Sequence, residues 1–204
     1  MFLLRRPSSD TIERFISASQ AKPLAYSPVG VARHEAEQHN LDEEVVVVGR
    51  GAADFERARS ALAAWRQFDT GWVELFPRAA SVEPGTNVAV LIRHVGIWSL
   101  NGCRVVYTVG DRLRGNHFGI AYGTLTNHAE GGEELFEVFL NPDSGDVTYR
   151  IRAVSWPRAT LSRIGYPITR WLQAQFRRDS AKAMKRATSA TAVGYERCDP
   201  CSVR

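Results

Sequence analysis

Apolar positions along this chain recur first at helical spacing, then at every second residue, then at helical spacing again. In Ser8–Gln20, Ile12, Phe15 and Ile16 fall on one helical face, and Ser8, Ser9 or Asp10 can supply the capping oxygen. Lys22-Pro23, Ser27-Pro28 and Gly30 then punctuate a loop running to about Asn40. Val45–Val48, four β-branched residues closed by Gly49, predicts a short buried strand. Ala53–Phe68 follows as an amphipathic helix, because Phe55, Ala58, Leu62 and Trp65 recur at three and four residues.

From Gly71 the period falls to two. Strands are predicted over Trp72–Phe76, Asn87–Ile97, Gly102–Val109, His117–Leu125, Glu133–Leu140 and Val147–Ser155. In the fourth of these, Phe118, Ile120, Tyr122 and Thr124 share one face, and Gly119, Ala121 and Gly123 share the other. The connections are too short for parallel crossovers, so the strands form an antiparallel meander. The last element is a long helix with Pro167 near its first turn. Its apolar stripe is Leu161, Ile164, Ile168, Trp171, Leu172 and Phe176, with Met184 beyond. A twisted antiparallel sheet of about seven strands curls, and its apolar concave face needs a cover. The predicted fold is therefore α+β of helix-grip type: a curved antiparallel sheet wrapped around a long C-terminal helix, commonly enclosing a pocket between them. Residues 1–40 form a helix and loop packed on the domain, 41–187 the helix-grip domain, and 188–204 a flexible tail.

Composition narrows the class without naming a ligand. A chain of 204 residues suits one domain with a substantial core, and its apolar and charged fractions are those of a globular protein. No apolar run approaches the roughly 20 residues of a membrane-spanning helix, and Met1–Leu4 is too short for a signal-peptide core. Cys103, Cys198 and Cys201, an odd number with two crowded at the tail, do not look like a secreted disulfide framework, so a cytoplasmic location is expected. Between Arg158 and Arg186 eight basic residues stand against Asp179 alone. That segment carries +7 of a whole-chain +4, which leaves −3 elsewhere. It is either a solvated outer face or a contact for anionic membrane; stacking aromatics of the RNA-binding kind are not recognisable, so no specific nucleic-acid binding is expected. Gly49-Arg50-Gly51 lacks the third glycine and βαβ setting of a dinucleotide site. Cys198-Asp199-Pro200-Cys201 lacks the second ligand pair of a structural zinc. No cofactor or metal is expected.

The segment from Tyr122 to Glu134 leaves one strand, turns and enters the next. Its His128, Glu130 and Glu133 could serve as base, orienting carboxylate and acid, could hold a divalent metal, or could simply decorate a solvated hairpin. His94 shares a face with Val88, Val90 and Ile92, so it points inward, bonded to backbone or water or lining a pocket. Arg104 shares a face with Val106 and Thr108. It could clamp an anion, or pin the sheet by pairing with Glu133 or Glu137. Tyr122 and Thr124 are candidate lining residues, Tyr122 especially because Ala121 and Gly123 flank it. Trp171 is a candidate wall on the closing helix.

Several motifs also resemble a known family. They are Val48-Gly49-Arg50-Gly51 with Phe55-Glu56-Arg57-Ala58, Trp65 through Gly71-Trp72-Val73, and Pro84-Gly85-Thr86. Further matches are Trp98-Ser99-Leu100-Asn101-Gly102-Cys103-Arg104 and Ala121-Tyr122-Gly123-Thr124-Leu125 with His128, Glu130, Gly132 and Glu133. Together they resemble the family catalogued as domain of unknown function 1990, over roughly Tyr26 to Met184. Its fold pattern is similar to START-like proteins, which bind lipids, hormones or polyketides between sheet and helix; that implies a cavity for an apolar or amphipathic small molecule. The other two functions carried forward are a cyclase- or hydrolase-like enzyme with His94 or His128 as general base, and a membrane-surface or scaffold protein acting through the basic helix.

Overall fold

In the computed structural model, residues 1–33, 41–94, 96–110, 113, 115–128, 130–157 and 166–189 are described. The two-residue periodicity folds as the antiparallel meander it predicts. Its strands are β3 (Val73–Phe76), β4 (Asn87–Arg93), β5 (Trp98–Gly110), β6 (His117–Thr124), β7 (Glu130–Leu140) and β8 (Asp146–Pro157). β2 (Leu41–Arg50) returns to pair with β8, so the strands run β2-β8-β7-β6-β5-β4-β3, all antiparallel. A two-residue strand, β1 (Phe2–Leu3), pairs with β5 beside this path.

α1 (Ser9–Ser19) starts where its cap predicts, with the Ser8 hydroxyl accepting from the Thr11 amide at 3.3 Å. α2 (Gly51–Ala63) ends earlier than its apolar stripe. Trp65 takes left-handed backbone angles (φ 58°), and the chain continues as a 3-10 turn, Arg66–Phe68. The Trp65 indole donates to Ala80 O at 2.9 Å, which ties that unusual conformation to the core. α3 (Tyr166–Ser189) closes the grip, packing on β2, β8, α2 and the 3-10 turn.

Strand pairing gives the sheet two distinct faces. The main core lies on the concave face, where Val88, Cys103, Val105, Phe118, Ile120, Phe136, Val138, Tyr149 and Ile151 meet Phe55 and Leu62 of α2, Phe68, and Phe176 and Met184 of α3. On the convex face Ile12 of α1 packs on Ala89, Leu91 and Leu100, and Ala32 of the following loop packs on Val109, Ala121, Leu135 and Val154.

Four departures from the sequence pattern matter for the site. β5 begins at Trp98, so Asn101 lies within a strand, not in a turn. β7 begins at Glu130, so Glu130–Glu133 belong to the sheet. A bulge between Val105 and Tyr107 switches β5 from one face to the other, so Arg104 and the residues beyond the bulge do not form one continuous row. Trp171 is 58% exposed while Phe176 is buried, because five residues at 100° per residue set them roughly 140° apart around the helix. The inward stripe of α3 instead includes Phe176, Ser180, Ala183, Met184 and Thr188. Leu161, Ile164, and the cysteine pair of the tail lie outside the described residues.

Candidate functional site

Side chains directly opposite on antiparallel strands stand about 4.5–5.5 Å apart, so the register converts into rows across the concave face. One row reads Phe118, Val138, Tyr149, Val46, and the next Ile120, Phe136, Ile151, Glu44. These two are dominated by apolar residues. The row beyond reads Val105, Tyr122, Glu134, Ala153, Asp42, and past it stand Cys103, Thr124 and Ser155. The concave face therefore has an apolar end and a polar end.

Aromatic rings pack the apolar end. Phe68 lies 5.4 Å from Phe176, 5.7 Å from Phe136 and 6.2 Å from Tyr122, centroid to centroid. Tyr122 straddles the boundary: its ring joins this cluster and its hydroxyl donates to Glu134 Oε2 at 2.5 Å. Burial raises the Glu134 pKa, and only partly do the Tyr122 hydrogen bond and the Arg177 charge oppose that. Burial likewise pushes the Tyr122 phenol and the fully buried Cys103 thiol up, with the Glu134 charge adding to both.

The first half of α3 roofs the polar end through polar contacts. Gln173 Nε2 donates to Glu130 Oε2 at 3.1 Å and to Ser155 Oγ at 2.9 Å. Asp42 accepts from both Arg170 guanidinium nitrogens, one at 2.7 Å, and pairs with Arg177 at 3.1 Å. Burial pushes Glu130 up to about 7, against the Gln173 hydrogen bond. The charge of α3 is thus divided: Arg170 and Arg177 turn to the sheet, while Arg178, Lys182, Lys185 and Arg186 face outward.

Of the residues singled out in the sequence, Tyr122, Thr124 and Glu130 come together at this polar end. The Thr124 hydroxyl accepts from the Gly132 amide at 2.9 Å. His94 keeps to the concave side at the end of β4, half-buried, with Nε2 2.8 Å from Ser99 Oγ; burial lowers its pKa. His128 Nδ1 accepts from the Glu130 amide at 2.9 Å and shapes the turn into β7.

Glu133 and Arg104 lie on the opposite, convex face. Glu133 Oε2 accepts from the Tyr26 hydroxyl (2.6 Å) and the Gly30 amide (2.8 Å), and Oε1 from the Tyr107 hydroxyl (2.6 Å) and the Ala32 amide (3.0 Å). His128, Glu130 and Glu133 therefore do not converge on one point. Among the described residues no group of three His, Cys, Asp or Glu side chains is placed to hold a metal. Arg104 pairs with neither Glu133 nor Glu137. It donates to Asn87 Oδ1 at 2.7 Å and to the carbonyls of Gln20 and Lys22 at 2.9 and 3.0 Å, capping the end of α1 beside an open groove of about 540 Å³. Glu137 is held by His117 and Arg150. The small residues flanking Tyr122 make room on the convex face, since a Cβ on Gly123 would sit 2.4 Å from the Tyr26 hydroxyl.

Glu134, Asp42, Gln173 and Arg177 complete the polar end and were not among the candidates. Glu134 was accessible to sequence reasoning: one more step of the Phe136, Val138, Leu140 alternation lands a carboxyl on the apolar face. Asp42, Gln173 and Arg177 are distant in sequence and carried no such signal.

Comparison with known proteins agrees with this architecture. Residues 25–183 match the family described as Domain of unknown function (DUF1990). A UPF0548 protein of Dictyostelium discoideum is 32% identical over 209 residues, covering 93% of this chain and 97% of that one. Among solved structures, a hypothetical protein from Helicobacter pylori overlays with a TM-score of 0.54 at 8% identity, over 81% of this chain and 98% of that one. A START superfamily protein from Mycobacterium smegmatis overlays with a TM-score of 0.47 at 11% identity, over 72% and 96%. No helix among the described residues is long and apolar enough to cross a membrane.

Proposed function

This chain belongs to the family described as Domain of unknown function (DUF1990), and we propose that it binds an amphipathic small molecule at the polar end of its concave face. The observation that carries this reading is the Tyr122–Glu134 pair, a buried phenol and a half-buried carboxyl 2.5 Å apart on the inner surface of the sheet. Burial disfavours the charged carboxylate at that position, and a core built only for stability gains more from an apolar residue there. Ligand sites have this composition: apolar walls with a few placed polar groups. The polar part of the ligand meets Tyr122, Glu134, Thr124 and Glu130, and its apolar part lies toward Phe68, Phe136 and Phe176. Entry requires the first half of α3 to lift, because Gln173, Arg170 and Arg177 hold it down.

Native mass spectrometry of the purified protein, with organic extraction, tests the reading. The expected result is a stoichiometric co-purifying amphipathic molecule, lost or weakened in Glu134→Gln and Tyr122→Phe. A ligand-free mass together with no saturable binding of an apolar fluorophore such as anilinonaphthalene sulfonate overturns it.

A further inference from the structure

The two edges of the sheet are finished differently. β3 is four residues long and followed by Pro77, and its Glu74 is pinned by Arg6 and Arg78. Such an edge resists pairing with another strand. β2 is ten residues long and has one neighbour, β8, so among the described residues its outer side has no strand partner; a bulge lies between Val47 and Gly49, and at the end of the strand the Arg50 amide donates to Asp54 Oδ2 at 2.7 Å. In its middle Val45 and Val47 point to the convex face, 56% and 51% exposed. α3 reaches β2 from the concave side, through Asp42, and leaves both valines uncovered. Neither lysine nor proline occurs in β2; its charges stand at its two ends and its bulge lies beyond Val47, which leaves Val45–Val47 without a charged guard.

The strand is also electrically polar. Asp42, Glu43 and Glu44 occupy its first half and Arg50 its end. Two copies aligned in parallel would set acid beside acid. Antiparallel alignment about a two-fold axis near Val46 sets the acidic end of each copy beside the Arg50 of the other, with the four valines meeting in the centre. Glu43 and Arg50 are both exposed; the nearest cation to Glu43 stands at 3.6 Å and the nearest anion to Arg50 at 3.7 Å, although the Arg50 guanidinium also donates to the Ser144 carbonyl at 3.0 Å. Pairs that exposed hold their partners weakly.

We propose that β2 is a self-association edge, which joins two copies of this chain through an antiparallel, two-fold β2–β2 contact into one continuous sheet. The contact is isologous, so each surface element is used twice. It is independent of the ligand reading, since Val45, Val47 and Arg50 take no part in the concave site.

Sedimentation equilibrium on the intact chain between about 1 and 200 μM tests it, because dimer population follows concentration by mass action. The wild type is expected to dimerise, and Val45→Lys with Val47→Lys to raise the dimer Kd at least tenfold with thermal unfolding unchanged at concentrations well below the wild-type Kd, where both are monomers. Glu43→Arg and Arg50→Glu should each weaken the homodimer, by placing like charges opposite each other. Mixed together, the two single variants should regain a heterodimer in native mass spectrometry, because each then offers the charge the other lacks. This charge-swap arm needs no core substitution. A wild type that stays monomeric throughout overturns the proposal, including the case in which β2 serves a different protein. So does a dimer indifferent to the valine substitutions, or a mixture that gains nothing over its components.

Discussion

Glu133 and Glu134 are neighbours in sequence and opposites in environment. The strand pleat sends Glu133 to the convex face, where two phenols and two backbone amides satisfy both of its oxygens. It sends Glu134 to the concave face, where one phenol meets it and burial works against its charge. The convex carboxylate fastens the loop that follows α1 to the sheet. The concave one stands where the core would prefer a hydrocarbon. Identical chemistry thus serves structure on one side of a sheet and is available for recognition on the other.

Substitution should separate the two. Glu133→Gln turns an amide NH2 toward groups that can only donate or prefer to, and is expected to cost about 3–4 kcal/mol in urea-unfolding free energy. A loss below about 1 kcal/mol would show that the convex anchor is not needed. The polar end should respond next, through pH. Glu130 has its folded pKa pushed up to about 7 from an ordinary 4.5, so its contribution to stability is full below about 4.5 and fades as pH climbs through about 7. Between those limits the wild type should lose about 3 kcal/mol from this group, and Glu130→Gln should flatten that part of the profile. Parallel profiles for the two proteins would refute the assignment. Glu134→Gln, which retains a neutral hydrogen-bonding side chain facing Tyr122, is expected to change stability at neutral pH by less than about 1 kcal/mol. Its signature is ligand loss without unfolding, the reverse of Glu133→Gln. Smallest of all should be Trp171→Ala, within about 0.5 kcal/mol in thermal melts because the indole is exposed. A melt lowered by several degrees would mean that this face of α3 is covered in solution.

Much of the fold was legible in the periodicities. The change of period at Gly71 marks where the meander begins, and the short turns dictate antiparallel pairing. The stripe on the last helix identified Phe176 correctly, and it erred at Trp171, because a large apolar residue was admitted to the stripe despite its angular offset. The site was legible where alternation reaches it, at Tyr122 and Thr124. It was obscured at Glu130, because β7 begins three residues before the predicted strand; Glu133 lies within that predicted strand, and the Phe136, Val138, Leu140 alternation already sends it to the face away from the helix. The expected pairing of Arg104 with Glu133 or Glu137 does not form, and nothing local announces that the end of α1 lies within reach of its guanidinium.

Local sequence by itself determined most of the strand and helix segments, the apolar face where alternation is unbroken, as in β6 and β7, and the antiparallel order of the meander. These follow from side-chain spacing and turn length, which act over a few residues. Tertiary structure alone decided that Asp42 of the first long strand, Glu134 of a middle one and Gln173 and Arg177 of the last helix share one roofed polar end. The physical reason is that such a meeting depends on how the sheet curls and where α3 crosses it. Those quantities are set by packing among elements more than a hundred residues apart, and no local pattern encodes them.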